Sequence, residues 1–244
     1  MRIVATIEAR MGSKRLPGKV LLKAKNKTML EILVERLMSV KIIDEIVVAT
    51  TTNNKDDEIV NVCDKINLKY FRGSEEDVFG RVIGAAKFAK ADLVVQITGD
   101  CPIIDPNIVE QIINIYKYNS VDCVGNGAIR SYPDGMDAQV FSLSTLEKSY
   151  SMTDNKLDKE HVTRHILRNP EIFSKINLIA PPEIFFPELG LTLDEKDDYL
   201  LLKNIIENLY DKNKYFSCLE VIHYLNSNQS LYSLNNHVQR RWNP

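Results

Sequence analysis

The sequence is poor in the features that would place it in several large functional classes. No apolar run approaches the roughly 18 residues needed to cross a bilayer, so a membrane role would have to be indirect. The four cysteines, Cys63, Cys101, Cys123 and Cys218, form no CxxC pair, and no secretory leader is expected before the first apolar run at Ile3. Both points fit a reducing, cytoplasmic setting. Neither sign of charge is in excess: 31 Lys and Arg stand against 33 Asp and Glu, a formal net charge of -2. That balance gives no general basic field for nucleic acid or a membrane surface, so any anion site must be local. GxGxxG and GxxxxGK[ST] are both missing, which argues against a dinucleotide site and a P-loop ATPase.

What is present is alternation. At 244 residues and 44% hydrophobic content the chain can bury a full core, and one domain spanning residues 1–244 is expected. Short apolar strands are expected at residues 3–7, 46–50, 69–71, 93–98 and 121–124, separated by amphipathic helical stretches near 29–39, 77–88 and 107–119. This pattern predicts an α/β fold, a Rossmann-like, mostly parallel sheet with helices on both faces. Helix starts carry local signals: Thr28-Met-Leu-Glu31 and Ser74-Glu-Glu-Asp77 set a hydroxyl three residues before a carboxylate, and Asp105-Pro106 reads as a cap followed by proline.

After about residue 125 the alternation breaks. Tyr132-Pro-Asp-Gly135 reads as a turn into a strand around 138–141, expected over the sheet edge. A helix around 159–167, strands near 176–179 and 190–193, a helix at 196–209 and a helical tail from Cys218 follow. The last ten residues, with the lone Trp242, carry no assigned role.

The first expected strand runs into Ala9-Arg-Met-Gly-Ser-Lys-Arg-Leu-Pro-Gly-Lys19, which holds four cations (Arg10, Lys14, Arg15, Lys19), two glycines (Gly12, Gly18) and no acid. Glycines let backbone N–H groups approach an anion, and loops at the carboxyl ends of parallel strands are where open α/β sheets bind ligands. Arginine and lysine would neutralise phosphate oxygens. Composition alone leaves a solvated surface connection equally open.

The stretch from Arg10 to Lys19 resembles the opening motif of the cytidylyltransferases that activate acidic sugars, the 3-deoxy-manno-octulosonate and acylneuraminate enzymes, and is nearest to their spore-coat polysaccharide branch. Further motifs follow in the same order: Val48-Ala-Thr-Thr51, Phe71-Arg-Gly-Ser74, Asp77-Val-Phe-Gly-Arg81, Thr98-Gly-Asp-Cys-Pro-Ile-Ile-Asp105, Asp134-Gly-Met-Asp137, Glu160-His-Val-Thr163 and Leu191-Thr-Leu-Asp194. The resemblance implies a nucleotidyltransferase that moves CMP from CTP to a sugar acid and releases pyrophosphate, with Mg²⁺ as cofactor. It implies that Arg10, Arg15, Lys19 and Asp100 are catalytic, and that Asp100 and Asp194 hold the metal. Relatives of this type are commonly dimers.

Two carboxylates at neighbouring strand ends suit Mg²⁺, which takes few protein ligands and keeps waters. Taken singly, Asp100 reads better as a helix cap or turn residue and Asp194 as a cap for the helix at 196–209. Asp198, one turn into that helix, is expected behind the metal carboxylates. Ala9, Met11, Gly12, Ser13, Thr50, Thr51, Arg72, Gly73 and Ser74 are the expected nucleotide contacts, and Arg81 either reaches the phosphates or pairs with an acidic neighbour. Segments about 126–142 and 155–180 are expected to cover the acceptor site, with Asp134, Asp137, Glu160 and His161 accepting from sugar hydroxyls. An anionic acceptor would call for Arg130, Lys159 or Arg164.

His161 and His165 stand four apart, but without HExxH or a third ligand a polar helix face is preferred to zinc. Gln96 departs from the branch, where an arginine is common. A glycosyltransferase of the same architecture would usually show Asp-x-Asp where this chain has Thr98-Gly-Asp100-Cys. A non-catalytic nucleotide sensor would need the basic loop without the carboxylate pair.

Overall fold

The computed structural model describes residues 1–240, so Trp242 lies outside the described residues. In chain order the elements are β1 (Ile3–Glu8), β2 (Lys23–Ala24), β3 (Lys27–Thr28), α1 (Met29–Met38), β4 (Glu45–Thr51), α2 (Asp57–Lys65), β5 (Lys69–Gly73), α3 (Val78–Phe88), β6 (Leu93–Thr98) and α4 (Pro106–Lys117). The second half continues with β7 (Cys123–Gly125), β8 (Gln139–Ser142), α5 (Leu143–Ser151), α6 (Lys156–Glu160), α7 (Arg164–Arg168), β9 (Lys175–Asn177), α8 (Lys196–Leu209), α9 (Cys218–Asn226) and α10 (Gln229–Tyr232).

Seven strands form one sheet in the order β5-β4-β1-β6-β8-β7-β9. β1 pairs in parallel with β4 and β6, and β4 with β5. β8 alone runs against its neighbours β6 and β7. The expected α/β class is therefore what forms, with one correction. The strand expected at 138–141 does not lie over the sheet edge; it is inserted between β6 and β7, because Val140 and Phe141 are fully buried and need a partner on each side.

Alternate residues of β1 feed two cores. Ile3, Ala5 and Ile7 pack with α1, α4, α8 and α9, whereas Val4 packs with Phe79, Val82 and Ala86 of α3. Glu8 shares Val4's side of the strand by the two-residue period, so the strand ends by pointing a carboxyl towards α3.

The capping box at Thr28 and Glu31 and the Asp105 cap with Pro106 form as expected. Ser74 does not cap α3: Asp77 does, accepting from Gly80 N–H, while Ser74 Oγ accepts from Asp77 N–H one step earlier. The helix expected over 159–167 is broken in two, since His161 leaves α6 in an extended conformation (φ -119°, ψ 97°). The expected strand at 190–193 is reduced to one bridge, Asp134 to Gly190, and to main-chain bonds from Leu191 to Asp134 and from Leu193 to Asp100. α2, which buries Ile59 and Cys63, is a further helix beyond the three expected in this half. No helix among the described residues is long and apolar enough to cross a membrane.

Arg36, on α1, is fully buried. Its guanidinium donates to the carbonyls of Ile104 (2.8 Å), Lys214 (2.9 Å) and Phe216 (2.5 Å) and stacks 4.3 Å from the Phe216 ring. Burial pulls its pKa down to about 10, against the pull of Asp105 and Glu220, so it stays charged at neutral pH. Arg36→Met should cost about 2–4 kcal/mol in urea unfolding, because three carbonyls, two of them in buried bonds, lose their donor. An unchanged urea midpoint would show that these bonds contribute nothing net.

Candidate active site

The basic segment is a closed loop. Gly18 N–H donates to Met11 O at 3.1 Å, and Gly18 adopts φ +70°, a left-handed turn that aims the chain into the short helical turn Lys19–Leu21. From outside, the buried Asp56 accepts from Met11 N–H at 2.7 Å and from the Thr51 hydroxyl. The loop's start is thus pinned to the end of β4.

Asp100 leaves the end of β6 through a tight turn, with Gly99 N–H donating to Glu8 O at 2.9 Å and Cys101 N–H to Thr98 O at 3.2 Å. Leu193 N–H donates to Asp100 O at 2.8 Å, which draws the segment before α8 alongside and brings Asp194 next to Asp100. Lys19 Nζ then lies 2.8 Å from Asp100 Oδ2 and 2.9 Å from Asp194 Oδ1. Arg15 holds the other oxygen of Asp194 at 2.7 Å and reaches Glu195 at 3.5 Å.

Burial opposes charge on both Lys19 and Asp100. For Lys19 the attraction of Asp100 and Asp194 outweighs it and raises the ammonium above its ordinary value; for Asp100 the attraction of Lys19, with hydrogen bonds from Lys19 and Thr98, lowers the carboxyl below its own. Two hard oxygens thus face a single point held by a cation. This donor set suits Mg²⁺, which would add waters and phosphate oxygens. Among the described residues no cluster of three or more His, Cys, Asp or Glu side chains forms a metal-binding group, so the two carboxylates would be the protein's share of the shell.

Around this point opens a cavity of about 380 Å³, lined by the loop residues Ala9, Arg10, Ser13, Lys14, Arg15 and Lys19, by Asp100 and Asp194, and by Glu8, Arg81, Glu160 and His161. Glu160 and His161 are exposed on its rim. Arg81 lines the cavity with its guanidinium anchored to the main chain: Nε donates to Ala49 O at 3.1 Å and Nη1 to Ser74 O, with Glu8 nearby. Arg10 reaches Glu75 at 3.5 Å on the cavity's outer side.

Glu8 is a cavity residue that the sequence motifs do not mark. Gln96 Nε2 donates to Glu8 Oε1 at 2.6 Å, which gives the departure at Gln96 a physical partner. The available signal was the register, since β1 and β6 both turn polar on their α3 face, at Thr6, Glu8 and Gln96. Burial pushes the Glu8 carboxyl up to about 7, against the hydrogen bond from Gln96 and the attraction of Arg81.

Glu8 therefore binds its proton more tightly in the folded than in the unfolded chain. Its contribution to stability is complete below about pH 4.5 and disappears as pH rises through about 7. Glu8→Gln should match the wild type near pH 5 and exceed it at pH 8 by about 1–3 kcal/mol in urea titrations. A stability difference independent of pH would contradict the burial of this carboxyl.

Several expected contacts lie outside the cavity lining. Thr50 and Thr51 are fully buried. Arg72 braces the chain after β4, donating to Thr51 O (2.8 Å), Asn53 O (2.9 Å) and Asp57 (2.6 Å). Gly73 and Ser74 stand beside Arg81, and Met11 and Gly12 line a shallow depression behind the loop with Lys55 and Glu58. Asp134 and Asp137 are paired with Arg130 at 3.1 and 3.5 Å, and burial lifts Asp137 to about 6. His165 does not share a helix with His161; its Nδ1 meets Ser149 Oγ at 3.0 Å and its ring packs edge-on to Phe173.

A family model described as cytidylyltransferase matches residues 4–232. The chain is 32% identical over 233 residues to the spore coat polysaccharide biosynthesis protein SpsF of Bacillus subtilis, covering 93% of this chain and 95% of the relative. It is 31% identical over 123 residues to the 3-deoxy-manno-octulosonate cytidylyltransferase of Christiangramia forsetii, covering 50% and 48% of the two chains. The solved structure of a cytidylyltransferase from Leptospira borgpetersenii superposes with a TM-score of 0.90 at 33% identity over 100% of both chains.

Proposed function

The chain belongs to the cytidylyltransferase family, and from that premise we propose that it transfers CMP from CTP to a sugar acid, with Mg²⁺ and release of pyrophosphate, to supply the synthesis of a surface polysaccharide. The observation that carries this reading is the convergence of Lys19, Arg15, Asp100 and Asp194 on one point at the carboxyl edge of β1 and β6. A loop rich in cations borders that point, and the C. forsetii relative is named for such a transfer.

Asp100 and Asp194 would hold the metal, which when bound neutralises and orients triphosphate oxygens. The protein's own groups supply the rest. Arg10, Lys14, Arg15 and Lys19 bind the phosphates and stabilise charge as the acceptor oxygen bonds to the α-phosphorus and the bond to pyrophosphate breaks. Glu160 and His161, on the cavity rim, meet acceptor hydroxyls. Glu8, the cavity carboxyl whose affinity for a proton is matched to neutral pH, takes the proton that the acceptor hydroxyl gives up.

Pyrophosphate release measured with CTP, UTP, GTP and ATP against a panel of octulosonic and nonulosonic acids tests the proposal. Release with CTP and one of these acids is expected. A preference for another nucleotide would refute cytidylyl transfer. Sugar transfer from a nucleotide sugar would make the chain a glycosyltransferase, and nucleotide binding without turnover would make it a sensor.

A further inference from the structure

The last described residues, 235–240, carry chemistry that the proposed reaction does not use. The link is Asp198, on the first turn of α8 and fully buried. One of its oxygens accepts from the backbone N–H groups of Asp194 (3.0 Å) and Glu195 (2.8 Å). The other accepts from Asn235 Nδ2 at 2.7 Å and from the Arg240 guanidinium at 2.8 Å. Burial would raise this carboxyl, but Arg240, Asn235 and the backbone donors hold it below its ordinary value.

Three further contacts fasten the same segment around Asp194. Asn235 Nδ2 also donates to Gly190 O at 2.9 Å. Arg240 lies flat on Gly190, where an added Cβ would come within 1.9 Å of its Nη2, so glycine is what leaves the guanidinium room. Arg15, which grips Asp194, donates to the carbonyl of Gln239 at 3.3 Å. Asp194 is thus tied to residues 235–240 along two routes, through its backbone by way of Asp198 and through its carboxylate by way of Arg15.

We infer that Arg240 and Asn235 are positioning residues for the Asp194 carboxylate, so that the C-terminal segment sets how tightly the site takes a divalent cation. The inference rests on the reading of Asp194 as a metal carboxylate. Groups that orient a ligating carboxylate without touching the ion commonly alter affinity by about 10–100-fold. Without Arg240, Asp198 loses its charged partner, and the turn that aims Asp194 is held by fewer bonds.

The test is Mn²⁺ binding, followed by the electron paramagnetic resonance signal of the free ion in the presence of CTP, alongside thermal melting of the same samples. Arg240→Gln should weaken Mn²⁺ binding about 10-fold or more, Arg240→Lys should restore part of the loss, and Gly190→Ala should reproduce it by displacing the guanidinium. Mn²⁺ affinity within twofold of wild type in both Arg240→Gln and Gly190→Ala overturns the inference, including where melting temperature falls, because the segment then only supports the fold. A wild type that takes no Mn²⁺ with CTP removes the metal reading of Asp194, and the inference with it. The two failures are therefore told apart by the wild-type titration alone.

Discussion

Asp100→Asn and Asp194→Asn are each expected to lose turnover by about 10³-fold, or about 4 kcal/mol of barrier, while remaining folded. The substitution keeps the shape of the side chain and removes the charge. Each carboxylate meets Lys19 within 3 Å, and the second of them also meets Arg15 at 2.7 Å, so either variant leaves Lys19 one anionic partner and should not strand a buried charge. The loss should fall on kcat and on the Mg²⁺ concentration needed for half-maximal rate, since both depend on the negative point between the strands. Steady-state pyrophosphate release across an Mg²⁺ series, with far-ultraviolet circular dichroism for the fold, measures both. Activity within tenfold of wild type in either variant would remove that residue from the metal site.

Lys19→Met separates two roles that one side chain performs. Its ammonium occupies the place between Asp100 and Asp194 where the cation would bind. Its positive charge therefore competes with a divalent ion there until triphosphate oxygens offer the ammonium another partner. Methionine has similar length and no charge. The variant should bind Mn²⁺ alone several-fold more tightly than wild type, and yet turn over about 10²–10³-fold more slowly, because a phosphate-binding charge is missing. Calorimetric titration of Mn²⁺ without nucleotide, paired with the rate assay, reads both effects. Weaker Mn²⁺ binding in Lys19→Met would contradict the competition, and an undiminished rate would remove Lys19 from the phosphate site.

The parallel half of the fold was legible because its signals are local. Continuous apolar strands, the capping box at Thr28 and the Asp105-Pro106 helix start each act within a few residues. The place of β8 was not legible, since short antiparallel strands such as Gln139–Ser142 look alike whether they lie at an edge or inside a sheet. What fixes it is burial of Val140 and Phe141 between partners distant in sequence.

The same division holds in the site. Arg15 and Lys19 stand out as loop cations, Asp100 and Asp194 only through the ordered family motifs, and the four meet. Thr51 and Arg72 occupy similar strand ends, yet a buried neighbour, Asp56, and nearby carbonyls take up their polar groups. Glu8 was hidden because a carboxylate ending a strand usually points to solvent, and only its register against Gln96 and Arg81 turns it inward. The fastening of residues 235–240 to Asp198 spans 37 to 42 positions of sequence, beyond the reach of any local pattern.

The most direct test follows the phosphorus atoms. With CTP labelled separately at the α- and γ-phosphates, Mg²⁺ and the acid selected from the panel, the α-label should appear in a CMP-sugar acid and the γ-label in pyrophosphate, in equal amounts. Release of the γ-label as inorganic phosphate, or an α-label that stays in free nucleotide with every acid, would contradict attack at the α-phosphorus and the clamp built from Lys19, Asp100 and Asp194.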